Sequence, residues 1–401
     1  MKNNKLIKVG FLTAGGIAPC LSSSISMLIQ EYLKLDNNFE FVGYLYGYKG
    51  LLQNNKIIIP NDINLEELKS FGGSFLGNSR VKLINKKDCI EKGYIHKNKD
   101  PLEVAANQLK EDKIEILHTI GGDDTNSTAG DLVDFLSKKD YKLTVVGLPK
   151  TIDNDVFPIK QTLGALTAAE NTAIFFDNIV NENTTSSRQL IIHEVMGRNC
   201  GWLTAYSAYL YREKLKLKKF IPEIFVDRNK WDIHAVYLPE YVFDLENEVV
   251  RLNKIMDKFD CVNIFLSEGA GIDNILDEKK KNGEIIEKDA FGHVRIDEIN
   301  PGNWFADYFK SKLKCDKVLV QKSGYFSRSG HPNKQDLKLI EKSCKYAVNS
   351  AMNNQSGVIG IRDETDKMDI IKFSEIKGGK PFDVHSTWFL ELLKEINQCQ
   401  Q

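Results

Sequence analysis

Arginine is scarce in this chain, with nine residues against 45 lysines in 401. An arginine at a marked position is therefore more informative than a lysine there. Histidine numbers seven, with no His-x-x-x-His pair, which argues against a multi-histidine metal site. Cysteines stand at 20, 89, 200, 261, 315, 344 and 399, an odd count without a Cys-x-x-Cys pair. That excludes a disulfide framework and a cysteine-rich zinc site, and it fits a reduced, cytoplasmic compartment. Neither sign of charge dominates: 54 Lys and Arg face 55 Asp and Glu, a net charge of −1. No nucleic-acid partner is expected from that balance. No apolar run reaches the roughly 18 residues of a membrane helix, so no membrane partner is expected either. The start, Met1–Cys20, does not read as a secretory signal, because Lys8 and Gly15-Gly16 interrupt its apolar stretch.

What is present is an apolar fraction of 42% beside 27% charged residues. That composition excludes wholesale disorder and supports sizeable cores, in two or three domains or one two-lobed unit. The chain's rhythm is a short apolar β-rich run, a Gly-containing loop and an amphipathic stretch. Lys8–Leu12, Ile114–Ile120, Leu143–Leu148, Leu190–Val195, Val262–Leu266 and Val358–Arg362 read as strands. Leu21 to Leu33, Thr125–Leu136, Trp202–Leu210, Val249–Phe259 and Leu337–Met352 read as helices, and Asp100-Pro101 as the N-cap and first residue of another. Alternation of this kind predicts an α/β fold with parallel sheets covered on both faces, and ligands beyond the carboxyl ends of the strands. The Lys- and Asn-rich stretches Asn85–Asp100 and Asp277–Lys288 read as exposed excursions, and a boundary is expected near residue 165.

Every unusual motif falls at a strand-to-loop junction. Gly121-Gly122-Asp123-Asp124-Thr125-Asn126 follows a strand and opens a helix, which makes an anion site from bare amides and a helix dipole. Two carboxylates there would repel a phosphate, unless Asp123 holds Mg²⁺ and inverts the local charge. Pro149-Lys150-Thr151-Ile152-Asp153-Asn154-Asp155 sets two carboxylates beside a lysine, the groups that phosphoryl transfer to a hydroxyl needs. Met196-Gly197-Arg198 places an arginine at a strand–Gly–helix junction, suited to forked recognition of a phosphate. Weaker signals are Thr13-Ala14-Gly15-Gly16, Ser267-Glu268-Gly269, Tyr325-Phe326-Ser327-Arg328, and Arg80 in Leu76–Arg80. Taken singly, each is equally a glycine turn, an Asx-rich turn, a helix cap or a surface arginine.

In this order the motifs resemble the phosphofructokinase family, from about residue 8 to about residue 352. The resemblance implies two similar Rossmann-like three-layer α/β/α domains with the active site in the cleft between them. It divides the chain into an N-terminal domain, 1–165, for pyrophosphate and Mg²⁺, and a C-terminal domain, 166–401, for fructose 6-phosphate, with a return crossing after about 325. By resemblance Gly16 approaches the donor phosphate, with Arg80 a further phosphate contact, and Asp123 ligates Mg²⁺. Thr151 and Asp153 meet the sugar 1-hydroxyl, with Asp153 as proton acceptor, and Ile152 is a further substrate-binding residue. Asp155 supports that loop. Met196, Gly197, Arg198 and Glu268 hold fructose 6-phosphate, and Tyr325 and Arg328 close on it. ATP-using members carry Gly at the positions of Asp124 and Lys150, whereas pyrophosphate-using members differ as this chain does. A carboxylate at 124 stands where a nucleotide's α-phosphate would lie, and Lys150 brings a cation to the transferring group. The implied reaction is phosphorylation of fructose 6-phosphate at O1 by pyrophosphate, a reversible step of glycolysis and gluconeogenesis, in a homodimer or tetramer.

The chain also departs from the family pattern. Cys20 and Ser22 replace the usual Gly and Asn after the first glycine turn. The arginine usual at Gln189 is displaced to Arg188, the usual late histidine is Tyr325, and Lys322 is the nearest cation where an arginine is missing. The competing readings are an ATP-dependent 6-phosphofructokinase, a lipid or dinucleotide kinase with a Gly-Gly-Asp loop, and a non-catalytic regulatory subunit. A nicotinamide dehydrogenase is disfavoured, because no Gly-x-Gly-x-x-Gly follows the first strand.

Overall fold

A computed structural model describes residues 5–35, 37–281, 283 and 299–398. Among these the strands are β1 (Leu6–Thr13), β2 (Asn38–Tyr44), β3 (Lys56–Ile59), β4 (Ile116–Gly121), β5 (Thr144–Pro149), β6 (Gln189–Val195), β7 (Ala235–Tyr237), β8 (Cys261–Ser267), β9 (Lys317–Lys322), β10 (Gly357–Ile361) and β11 (Met368–Ile371). The chain forms two compact units, Met1–Ala168 with Arg328–Lys380, and Ala169–Ser327 with Pro381–Gln401. The chain thus leaves and re-enters each unit.

The first unit holds a seven-stranded sheet in the order β11-β10-β5-β4-β1-β2-β3. Every residue of β4 and β5 is buried, the mark of strands covered on both faces. Their inner side chains, with Leu109, Leu132 and Leu136 of the flanking helices, form one apolar core. The five middle strands run parallel, as the alternation predicts, but both edges reverse: β3 pairs with β2 and β11 with β10 antiparallel. The reason is connection length. A parallel neighbour needs a crossover of a dozen or more residues, and only 362–367 separate β10 from β11. The chain runs from β1 outward to β2 and β3, then back to β4 on the other side of β1. That reversal opens a crevice beyond the carboxyl ends of β1 and β4.

The second unit holds a parallel sheet in the order β7-β8-β6-β9. Its core packs Leu190, Ile192, Val262, Ile264 and Leu266 against Tyr237, Phe305 and Phe309. The chain reverses direction across this sheet too, because β6 lies between β8 and β9. The loops after these three strands carry Met196–Arg198, Glu268 and Tyr325.

Local signals explain the helix starts. Asp100 accepts the Leu102 and Glu103 N–H groups at 3.0 and 3.2 Å, and Pro101 begins the helix Pro101–Glu111. The helix after β4 runs Asp123–Ser137, two residues earlier than its periodicity suggests, with Gly122 as N-cap. Asp123 and Asp124 therefore occupy its first turn, where the dipole favours negative charge. The stretch expected as an exposed excursion at Asn85–Asp100 includes the helix Lys86–Glu91 and buries Cys89. Of the other excursion, residues 282 and 284–288 lie outside the described residues, as does Cys399; Cys20, Cys89, Cys200, Cys261, Cys315 and Cys344 are free thiols. Among the described residues no helix is long and apolar enough to cross a membrane.

Candidate active site

Three loops of the first unit converge beyond β1, β4 and β5 on a cavity of about 390 Å³. Gly16, Arg80, Asp123, Asp124, Lys150 and Asp153 line it, joined by Thr151, Ile152, Asp155 and Arg328. Residues 16 to 328 of the linear chain thus share one space, drawn together by the strand order.

The turn after β4 is held from inside. Asn126 Nδ2 donates to Gly121 O at 3.0 Å and to Gly122 O at 2.9 Å, while its Oδ1 accepts from Thr119 Oγ1 at 3.1 Å. Both carbonyls also accept a backbone N–H, Gly121 O from Lys150 at 2.8 Å and Gly122 O from Asn126 at 3.2 Å, so the asparagine adds a second bond to each and fixes the turn that presents Asp123. The loop after β5 uses the same device. Asn154 takes the left-handed conformation, φ 56°, its Oδ1 accepting from Thr162 N at 2.8 Å and its Nδ2 donating to Lys160 O at 3.1 Å. Asp153 and Asp155, on either side of this knot, are directed at the cavity. Neither asparagine was singled out from the sequence; Asx residues at turns are too common to stand out.

Two cations gather at Gly16. Lys150 is 4% exposed, and its Nζ donates to Gly16 O at 2.8 Å. Burial drives the Lys150 ammonium down to about 8; Arg328 and Arg80 push the same way, against Cys20 and Asp153. Arg328 Nε donates to Ile17 O at 3.1 Å. A β-carbon on Gly16 would come within 2.0 Å of Arg328 Nη2, so only glycine lets that guanidinium approach. The family resemblance grouped Arg328 with Tyr325 on the sugar phosphate; in the structure its guanidinium lies against the first glycine turn. Opposite, Asp124 pairs with Lys82 at 2.6 Å. Lys82 was missed in the sequence, because one of 45 lysines carries no signal. Burial pushes the Asp155 carboxyl upward, a hydrogen bond to Thr151 opposes it, and the Asp123 charge adds to the rise.

The second unit assembles the other candidates. Gly197, with φ +126°, donates its N–H to Glu268 Oε1 at 3.3 Å and accepts Ser267 Oγ at 2.5 Å on its carbonyl. A β-carbon on Gly269 would meet Arg198 O at 1.8 Å, so the loops after β6 and β8 interlock backbone to backbone. Met196, Gly197, Arg198 and Glu268 therefore stand together. Tyr325, in the short helix Gly324–Arg328, is 72% exposed.

Two further cations of this unit, Lys322 and Arg188, have partners within it. Lys322 pairs with the buried Glu194 at 2.7 Å, and Glu194 also accepts the Gly302 N–H at 2.9 Å. The lysine itself is half exposed, and it offsets the charge of the buried Glu194. Arg188 binds Asp257 at 2.8 Å and donates to Lys314 O and Leu313 O, the carbonyls at the end of the helix Pro301–Lys312. Its guanidinium caps that helix.

Comparison with known proteins agrees with this geometry. Residues 8–351 match the family model described as Phosphofructokinase. A protein of Methylotuvimicrobium alcaliphilum named pyrophosphate–fructose 6-phosphate 1-phosphotransferase is 52% identical over 400 residues, covering 99% of this chain and 98% of the relative. A protein of the same name from Methylomonas methanica is 50% identical over 398 residues, covering 98% and 97%. Among solved structures, the pyrophosphate-dependent phosphofructokinase from Marinobacter aquaeolei has a TM-score of 0.72 at 19% identity, over 98% of this chain and 92% of that one, a likeness of fold.

Proposed function

The chain belongs to the phosphofructokinase family, and from that membership we propose that it transfers a phosphoryl group from pyrophosphate to O1 of fructose 6-phosphate, giving fructose 1,6-bisphosphate and phosphate. The observation that carries the donor assignment is the meeting of Asp124 and Lys150 in one cavity. Asp124, with its Lys82 partner, sets bulk and charge where a longer donor would extend. Lys150 supplies a buried cation beside the Gly16 turn. A fixed charge in a dry site needs no reorganisation as the transferring group develops negative charge.

Asp153 is the proton acceptor for the sugar hydroxyl, and Thr151 and Ile152 complete the wall around it. Arg80, Arg328 and the Gly16 turn orient pyrophosphate. Met196, Gly197, Arg198, Glu268 and Tyr325 bind fructose 6-phosphate. A Mg²⁺ ion fits this donor set, since it is held by one or two carboxylates plus substrate phosphates, and Asp123 is the residue that would hold it, with Asp155 near its water shell. When bound, such an ion would offset the negative charge of the phosphate groups. A homo-oligomer in the cytoplasm is the assembly and place that this reading favours.

The test is a coupled assay with fructose 6-phosphate and Mg²⁺, run with pyrophosphate and with ATP in parallel. Turnover with pyrophosphate is expected, and none of comparable size with ATP. Asp153→Ser is expected to lower turnover by about 10²–10⁴ with sugar-phosphate binding retained, the range for a lost general base. Asp124→Gly with Lys150→Gly is expected to erode pyrophosphate use. Turnover with ATP alone would establish the ATP-dependent alternative, and no turnover with either donor would point to a regulatory subunit.

A further inference from the structure

The family match ends at residue 351, yet the chain beyond it returns to two residues that line the cavity, Asp123 and Asp155. After β10 and β11 the segment Lys377–Lys380 is pinned at both ends. Phe157 and Lys377 exchange backbone hydrogen bonds at 2.8 and 3.1 Å, and the Lys380 N–H donates to Asp155 O at 2.9 Å. The Lys380 ammonium donates to Ile159 O, and its charge acts on the Asp155 carboxyl.

Gly378 lies between those anchors. A β-carbon built there would lie 2.1 Å from Asp123 Oδ2, 2.5 Å from Cγ and 3.2 Å from Oδ1, and these are the three nearest heavy atoms. The backbone does not itself call for glycine at 378. The positive φ of this turn, +72°, belongs to Gly379, and Gly378 is not among the residues with φ above zero. What demands a bare Cα at 378 is the Asp123 carboxylate.

We propose that Gly378 is a positioning residue for Asp123, and that Lys377–Lys380 is a wall against Asp123 and Asp155, outside the cavity lining and built by chain outside the family match. The inference rests on the reading in which Asp123 serves the Mg²⁺ of magnesium pyrophosphate. The wall meets Asp123 through the missing side chain of Gly378 and Asp155 through the Lys380 N–H. It sets how far the Asp123 carboxylate can swing away from the donor.

Gly378→Ala adds one methyl group, without backbone strain, against a single partner. Steady-state kinetics and calorimetric binding of magnesium pyrophosphate without sugar test it. A fall of about 10- to 100-fold in kcat/KM for magnesium pyrophosphate is expected, on the scale of a 1 Å misplacement. A higher half-saturating Mg²⁺ concentration and weaker calorimetric binding accompany it, while the KM for fructose 6-phosphate stays within about twofold. Kinetics and Mg²⁺ dependence like those of the wild type would overturn the proposal. Melting temperatures of Gly378→Ala, Asp123→Ala and the double variant form a second test that needs no activity. The methyl group is expected to cost stability only while the carboxylate is present, even if Gly378→Ala alone folds poorly. An equal cost in both backgrounds would also overturn the proposal. A wild-type chain inactive with pyrophosphate would defeat the functional reading instead, and the stability cycle would still decide the contact.

Discussion

Lys150 carries two opposite dependences on pH. Burial lowers its ammonium to about 8, whereas in an unfolded chain it holds its proton to about 10.4. Between those values the unfolded state binds more protons, so this residue's contribution to stability improves as pH rises. Catalysis needs the charged form and runs the other way. kcat/KM for pyrophosphate is expected to fall as pH passes about 8, with no loss of thermal stability attributable to this group. In Lys150→Met the falling limb is expected to vanish with most of the activity. A pH–rate profile of wild type and variant checks this, and an unchanged limb in Lys150→Met would assign it elsewhere. Asp124 and Lys82, exposed at 59% and 38%, contribute little to stability as a pair. Their importance lies in where they put charge.

At the scale of elements, the site depends on how turns after parallel strands are locked. The turn between β4 and the helix Asp123–Ser137 is held by Asn126, which is fully buried and lies close against Gly147 of β5. Asn126→Ala leaves the Gly121 and Gly122 carbonyls without that donor. Each carbonyl keeps its backbone donor, so a loss of about 0.5–1.5 kcal/mol per hydrogen bond removed is expected, seen as a lower urea midpoint at constant m-value. Turnover should drop as well, since Asp123 loses its anchor. Retention of both midpoint and turnover would show the turn to be held by other means. The loop after β5 relies in the same way on Asn154, and the loops after β6 and β8 on the close contact of Gly269 with Arg198. The candidate site side chains thus sit on segments whose backbone is bonded by neighbouring asparagines.

For the molecule as a whole, residues 352–398 contribute to the cores of both units. β10 pairs with β5 in the first unit, and Val358, Ile359 and Ile371 are buried there. In the second unit Phe389, Leu392 and Leu393 of the helix Thr387–Glu395 are buried. A chain ended at residue 351, where the family match stops, is expected to lose both contributions. It should be insoluble, or melt well below the full chain by circular dichroism; a truncated chain with native melting would refute that role.

Much of this was legible in the sequence. Continuous apolar runs marked β4, β5, β6 and β8, because strands covered on both faces need no polar residue. Glycines and paired carboxylates after those runs marked Asp123, Asp153 and Arg198, because phosphate chemistry needs bare amides and fixed charge. The short strands β3, β7 and β11 escaped notice: three or four residues carry too little periodicity to count. Amino-acid order alone determined the family, the α/β class and the residue types at each strand end, since those follow from local pattern. Tertiary structure alone decided that Lys82 joins Asp124, that Arg328 lies on the Gly16 turn, that Lys322 pairs with Glu194 and Arg188 with Asp257, and that Gly378 stands against Asp123. Each of these is a meeting of residues far apart in the chain, and such meetings are set by strand order and packing, which local pattern does not encode.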